Sequence, residues 1–342
     1  MIIKQFGALF KARTMEYVRD RGTFYWSLLF PVFLVLGLAF AFSGGDDKLF
    51  KVGVVGVQDP SVALLGMEQV QLVPYPDAAA AAERLARHQI DFMIDFTASS
   101  FAINAESSKG RLVRDLFLAQ QATAPDGSGN RAVTFSETVV TGKATRYVDW
   151  LVPGVIGMNM MFSSLFGVGF VIVRYRKNGV LKRFKATPVS ALNFVSAQAA
   201  SRLVIVLLTS VVVFAGTNAF LHFMMRGSYV NLLLLTVLGI LCMISLGLVF
   251  ASRMRSEEMA NGVLNIVTFP MLALSGVFFS LEGSPQILRT VSRAFPLTHF
   301  IEAARKIMLD GAGLAAIAPN LLVLGALTVV FLAIGSALFQ WE

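Results

Sequence analysis

The chain has 342 residues, 56% of them hydrophobic and only 15% charged, with a formal net charge of +8. Its single cysteine excludes an intrachain disulfide framework, and its long uncharged runs exclude an ordinary soluble domain. The positive charge sits in short clusters between those runs, which points to membrane orientation and away from nucleic acid as a partner.

Residues 1–23 set Ile2, Phe6, Leu9, Phe10 and Tyr17 against Lys4, Lys11, Arg13 and Arg21 at helical spacing. That pattern predicts a cytoplasmic amphipathic helix lying in the membrane interface, apolar face down. Residues 24–42 carry no charge and form the first span. Ala39-Phe-Ala41 resembles a cleavage site, but the apolar run is longer than a signal core, so the segment is read as an anchored helix.

Residues 43–148 are the one large polar insert. Residues 51–57, 70–73 and 91–96 read as strands, with turns at 43–47 and 58–61. Residues 77–88 read as a helix with Asp77 as N-cap, and residues 111–121 as another. A loop at 124–130 follows, and residues 131–149 return to the membrane. The third strand carries Asp91 and Asp95, both expected to be solvated.

Further uncharged runs cover residues 150–173, 203–221, 232–252 and 259–281, and the last apolar part lies at about 321–339. About 20 such residues cross the hydrocarbon core, and only a helix satisfies its own backbone there. Arg174, Arg176, Lys177, Lys182, Arg183 and Lys185 crowd one short loop without an acid, so that loop and both termini are expected in the cytoplasm. The predicted fold class is an all-α integral membrane domain of six transmembrane helices, with an α+β extracytoplasmic domain inserted between helices 1 and 2. Residues 149–342 hold spans two to six, a connecting helix at 178–188 and an outer re-entrant hairpin at 282–310.

Catalytic patterns are missing. No G-x-x-x-x-G-K-[ST] loop occurs; Gly142-Lys143 is followed by Ala144. His88, His222 and His299 are scattered, and His299 with Glu302 makes two ligands where catalytic zinc needs three. No catalytic, cofactor or metal site is assigned. Within the spans, charge is nearly absent; Arg202, at the start of the third, can snorkel to the cytoplasmic surface. Ion-coupled transport would need more intramembrane charge, so the energy for any transport must come from elsewhere.

Two stretches carry a sharper signal. Asn178-Gly-Val-Leu-Lys-Arg-Phe-Lys-Ala-Thr-Pro-Val189 places Val180, Leu181 and Phe184 on one side of a short helix that Pro188 ends. Ser275-Gly-Val-Phe-Phe-Ser280 is followed by Phe295-Pro-Leu-Thr-His-Phe-Ile-Glu-Ala-Ala-Arg305, too polar to span and too apolar for an ordinary loop. In order and spacing, together with Tyr147-Val-Asp-Trp-Leu-Val-Pro-Gly154 entering the second span, these resemble the ABC-2 family of ABC transporter permeases. The family's segments follow (R/E)-x-G-x-L-(K/R)-R-L-x-x-T-P-(L/V), S-G-x-x-F-P and N-P-L-T-x-x-x-E-x-x-R. Here Asn178 replaces the usual charged residue and Ser280 a common proline.

The resemblance implies an exporter permease of the inner membrane, paired with a second copy or a paralogous permease. It implies a coupling helix in which Gly179, Leu181, Lys182, Arg183, Phe184, Thr187 and Pro188 meet a separate nucleotide-binding subunit. ATP and Mg would be bound by that partner and not by this chain. It also implies an outward gate around Pro285, Pro296, Thr298, Glu302 and Arg305, with Glu302 and Arg305 as an ion pair. Envelope components on the outer side are a further partner class. A different class of function, a membrane-anchored sensor or scaffold whose outer domain binds a ligand or envelope protein, fits the size of the polar insert.

Overall fold

The computed structural model describes residues 2–41, 50–57, 62–87, 89–123, 135–140, 146–254, 256–278 and 286–338. The expected turns at 43–47 and 58–61, the loop at 124–130, His88, the Gly142-Lys143 pair and Pro285 lie outside them. The chain divides into two compact units, residues 40–146 and residues 1–39 with 147–342.

The larger unit is helical. It opens with α1 (Ile2–Arg19) and α2 (Arg21–Ala41). The smaller unit supplies β1 (Phe50–Val55), β2 (Val70–Tyr75), α3 (Ala78–Ala86), β3 (Phe92–Asp95), β4 (Ser100–Asn104), α4 (Ser108–Thr123) and β5 (Ser136–Val140). The larger unit then resumes with α5 (Tyr147–Lys177), α6 (Val180–Lys185), α7 (Ala191–Leu221) and α8 (Tyr229–Arg253). It closes with α9 (Glu257–Leu274), α10 (Gln286–Ser292), α11 (Pro296–Asp310) and α12 (Leu314–Leu338).

Among the described residues, α5, α7, α8 and α12 are long and apolar enough to cross a membrane, and the bent pair α1–α2 makes five if taken as one span. α9 falls outside that set. It has 18 residues, carries Glu257 and Glu258 in its first turn, and ends at Leu274, seven positions before the expected limit at 281. The third span also differs: α7 starts at Ala191, capped by Ser190, whose Oγ accepts from the Asn193 amide at 3.2 Å. Its first turns bury Asn193, Gln198, Ser201 and Arg202 against protein. Those polar residues hide a helix from a hydropathy reading that assumes lipid on every side.

α5 is the centre of the unit. It is buried without a break from Leu151 to Met161 and shares a core with α7, α8, α9 and α11. Glycines let the neighbours approach. A Cβ at Gly157 would meet Leu297 and Phe300 at 3.0 Å, and one at Gly247 would meet the Leu165 backbone at 3.2 Å. Small residues at helix contacts gain van der Waals packing where lipid supplies no hydrophobic drive.

In the smaller unit the sheet order is β2-β1-β3-β4-β5. β1 is parallel to β2 and β3, β3 is antiparallel to β4, and β4 is parallel to β5. β4 and β5 were not expected; the residues around β5, 131–149, read as a plain return to the membrane. Alternation assigns the two faces. Val52, Val54, Phe92 and Ile94 pack with Val113 and Phe117 of α4, while Val55 and Met93 pack with Ala81 and Leu85 of α3. Covering both faces explains why β1 and β3 are apolar almost throughout. Asp95 is not solvated as expected: it is buried, and its Oδ1 accepts from the Thr97 and Ala98 amides at 2.8 and 3.1 Å. Asp91 accepts from the Lys51 amide at 2.9 Å.

Asp77 caps α3 as expected, accepting from the Ala80 amide at 2.7 Å. Asp77→Ala should cost that helix about 1 kcal/mol. Hydrogen-exchange mass spectrometry of the full chain should show faster exchange confined to residues 78–86; unchanged exchange there would show the cap to be dispensable.

Candidate functional site

The connecting segment between α5 and α7 is built by one backbone reversal. Gly179 takes φ +68° ahead of α6, a left-handed conformation that a side chain would strain. The helix shows its apolar side to its own subunit. Leu181 is 0% exposed, and the half-buried Phe184 packs on Phe194 with ring centroids 5.3 Å apart. Leu181 and Phe184, both expected to face a partner, thus pack on their own subunit. A lone amphipathic helix spends its apolar face on the nearest core, so what it presents outward is Lys182, Arg183, Lys185, Thr187 and Pro188, all exposed. Thr187 ends the turn: its amide and hydroxyl both donate to the Phe184 carbonyl, at 2.9 and 2.7 Å.

The residues leading into that segment are anchored. The Arg176 guanidinium donates to the carbonyls of Ala251, Ser252 and Met254, the end of α8. Carbonyls at a helix C-terminus lack intrahelical partners and carry partial negative charge, so a cation there stabilises the end. Lys177 lies 3.9 Å from Glu257 at the start of α9. A basic cluster that reads as a simple orientation signal therefore also ties α5 to two neighbouring helices.

At the other end of α5, three separated stretches meet. Tyr147 donates from its hydroxyl to the Phe278 carbonyl at 3.2 Å. Arg305 donates through Nε to the Trp150 carbonyl at 3.2 Å and through Nη2 to the Gly276 carbonyl at 2.6 Å, with its guanidinium carbon 3.5 Å from the centre of the Trp150 ring. Gly154 admits the turn after α9: a Cβ there would lie 2.5 Å from the Val277 carbonyl oxygen.

The expected Glu302–Arg305 ion pair does not form. Glu302 is exposed and accepts from Asn320 Nδ2 at 3.2 Å, while Arg305 turns to carbonyls and an aromatic face. Spacing of three places the two residues on neighbouring helix positions, but Arg305 finds two carbonyls and a ring within reach. Thr298 is buried; its hydroxyl donates to the Ser292 carbonyl at 2.7 Å and lies 3.0 Å from Ser275 Oγ. Pro296 is the buried first residue of α11, where a missing amide costs nothing. His299 engages the Arg293 carbonyl at 2.8 Å.

Sequence reasoning missed a third cluster. Arg202 does not snorkel; it is 6% exposed, donates to the Ser163 carbonyl through Nε at 2.6 Å and through Nη2, and lies 5.3 Å from the Tyr17 ring centre. α1 closes over it. Thr14 and Ser201 hydroxyls are 2.9 Å apart, Arg13 donates to the Gly167 carbonyl at 3.3 Å and pairs with Glu16 at 2.9 Å, and the Tyr175 hydroxyl donates to Glu16. The face of α1 that docks thus includes the buried Arg13 and Tyr17, while Ile3 is left exposed. The only signal in the sequence was an arginine inside an otherwise apolar helix.

Residues 21–337 match the family model described as ABC-2 family transporter protein. The chain is similar to the probable multidrug ABC transporter permease YbhS of Escherichia coli (strain K12), 21% identical over 369 residues, covering 95% of this chain and 94% of that protein. It is similar to the inner membrane transport permease YhhJ of Escherichia coli (strain K12), 24% identical over 183 residues, 53% of this chain and 49% of that protein. It also matches ABC transporter G family member 20 of Dictyostelium discoideum, 26% identical over 226 residues, 66% of this chain and 30% of that protein.

Proposed function

The chain belongs to the ABC-2 family of transporter proteins, an integral multi-pass membrane permease, and on that premise we propose that it exports an apolar or amphipathic substrate using ATP hydrolysed by a separate nucleotide-binding subunit. Two permease copies, identical or paralogous, would form the path. In this reading α2 and α9 complete six spans in the inner membrane, both termini are cytoplasmic, and residues 43–148 form an extracytoplasmic α+β domain open to envelope partners. The gate is the α10–α11 hairpin with Pro285, Pro296 and Thr298.

The observation that carries the reading is the division of labour on α6. Its apolar side is fixed to the subunit by Leu181 and Phe184, and its cations are exposed on the far side. Such a peg passes force inward, because a displacement of α6 must move α5 and, through Arg176, the end of α8. Exposed cations steer and register an acidic partner surface. Mg and ATP chemistry belongs to that partner; this chain supplies the grip.

The test is co-purification with a nucleotide-binding subunit and measurement of substrate-stimulated ATP turnover. Reversing Lys182, Arg183 and Lys185 together to glutamate should weaken coupling by about a hundredfold, on the scale of like charges meeting across an interface. Thr187→Asp should weaken it less. Coupled turnover unchanged in the triple variant would overturn the assignment. A chain that never co-purifies with an ATPase, and whose residues 43–148 capture a ligand, would favour the sensor or scaffold reading.

A further inference from the structure

A cavity of about 880 Å³ opens in the larger unit between α1, α2, α5, α7 and α9, and its lining is chemically divided. One wall is the row Phe162, Phe166 and Phe170 of α5, whose successive ring centroids are 5.8 and 6.2 Å apart. Trp26 and Phe30 of α2, stacked at 5.4 Å, line it as well. The lining also carries Arg13, Arg174 and Arg202 together with Glu16 and Asp20. Glu16 is taken up by Arg13 and the Tyr175 hydroxyl.

Arg202 is the anomaly. Among the described residues no carboxylate lies within ion-pair distance of it; its donors reach only the Ser163 carbonyl and its guanidinium an aromatic ring. A buried cation without a counter-ion is costly, and inside a membrane protein such a residue marks a functional site. A second observation is independent of charge. Asn159, one helical turn before Ser163 and 7% exposed, lines the same cavity with a buried Nδ2 that has no hydrogen-bond partner. A buried donor left unmade costs the full desolvation of that group. The cavity therefore lacks an anion at Arg202, an acceptor oxygen at Asn159, and apolar matter beside the phenylalanine row.

We propose that this cavity binds an anionic amphiphile drawn from the bilayer. Its acidic head group would sit on Arg202, an ester or carbonyl oxygen would accept from Asn159, and one acyl chain would lie along Phe162, Phe166 and Phe170. The volume is within the range of pockets that enclose one small ligand. A bare inorganic anion leaves the aromatic walls unused, and a neutral hydrocarbon leaves Arg202 and Asn159 unanswered. The inference names a ligand class for the transporter reading above and rests on it for the membrane setting.

Native mass spectrometry of the purified full chain in a nonionic detergent, with lysophosphatidylglycerol or lysophosphatidylcholine, tests it without ATP or a partner protein. Loss of ATPase coupling and loss of lipid preference can then be told apart. The anionic probe should bind about tenfold more tightly or better, the scale of one hydrogen bond to a charged group. Arg202→Gln should abolish the preference, and Lys306→Gln, an exposed cation on α11, should keep it. Should Arg202→Gln fail to fold, Gly167→Ala serves instead. A Cβ at Gly167 would lie 1.9 Å from the guanidinium carbon, so the charge is kept but displaced, and the preference should fall. Equal binding of both probes, a preference that survives both variants, displacement by inorganic phosphate at matching concentration, or a dimer that binds neither lipid would each overturn the proposal.

Discussion

Gly154→Val is expected to unfold or severely destabilise the protein, by roughly 3 kcal/mol or more, as overpacking against backbone adds to the loss of nearby hydrogen bonds. The Cβ would sit 2.5 Å from the Val277 carbonyl oxygen and 3.1 Å from the Val277 carbonyl carbon and Cα. Those are backbone atoms and cannot swing aside. The turn at 275–278 would have to move off α5, and with it the Tyr147–Phe278 and Arg305–Gly276 bonds. Gly325→Ala is the control. It lies inside α12 with nothing within 4 Å of the added atom, so it should stabilise by about 0.5–1 kcal/mol through reduced backbone entropy. Cys242 is the sole cysteine and is buried, so its labelling by a fluorogenic thiol reagent on heating reports unfolding directly. Equal melting of the two variants would refute the close contact.

Arg305→Met should be nearly as damaging. Two hydrogen bonds from a charged donor and one cation–π contact are removed, together worth roughly 3 kcal/mol or more. Arg305→Lys should fall between, because an ammonium keeps the charge but not the planar fork that reaches two carbonyls. Glu302→Gln should be close to neutral, since Glu302 is exposed and its amide variant still accepts from Asn320. The same thermal labelling compares all three. If Glu302→Gln melts as low as Arg305→Met, the ion pair that the spacing implied is the true interaction and the carbonyl clamp is not.

These two variants probe a contact that the sequence pointed to without describing. Tyr147 to Gly154, Ser275 to Phe278 and Phe295 to Arg305 were singled out as separate stretches, and they meet at one end of α5. Their order along the chain carried no information about who bonds whom. Arg305 illustrates this: its helical spacing nominated Glu302, but the Gly276 carbonyl in the turn after α9 and the Trp150 carbonyl on α5 took its donors instead. Leu181 and Phe184 show the same gap, because an amphipathic pattern tells that a face is buried and not against what. Arg202 was visible as an exception in an apolar helix, while its partners on α1 and α5 lie 154 or more positions apart from each other in some pairs, such as Arg13 with Gly167. β4 and β5 escaped notice because short strands depend on the neighbour that completes their ladder.

What the sequence determined alone is set by solvent. Long uncharged runs must become helices in lipid, basic clusters must stay outside it, and a Gly before a short amphipathic segment ended by Thr-Pro makes a short, bounded helix. Those follow from local composition, since water and hydrocarbon act on each residue separately. The tertiary structure decided the pairings: which carbonyls Arg305 and Arg176 hold, which side of α6 is exposed, and that Arg202 has no carboxylate within ion-pair distance among the described residues. Such contacts depend on short-range geometry between distant segments, where a shift of a few ångströms exchanges one partner for another.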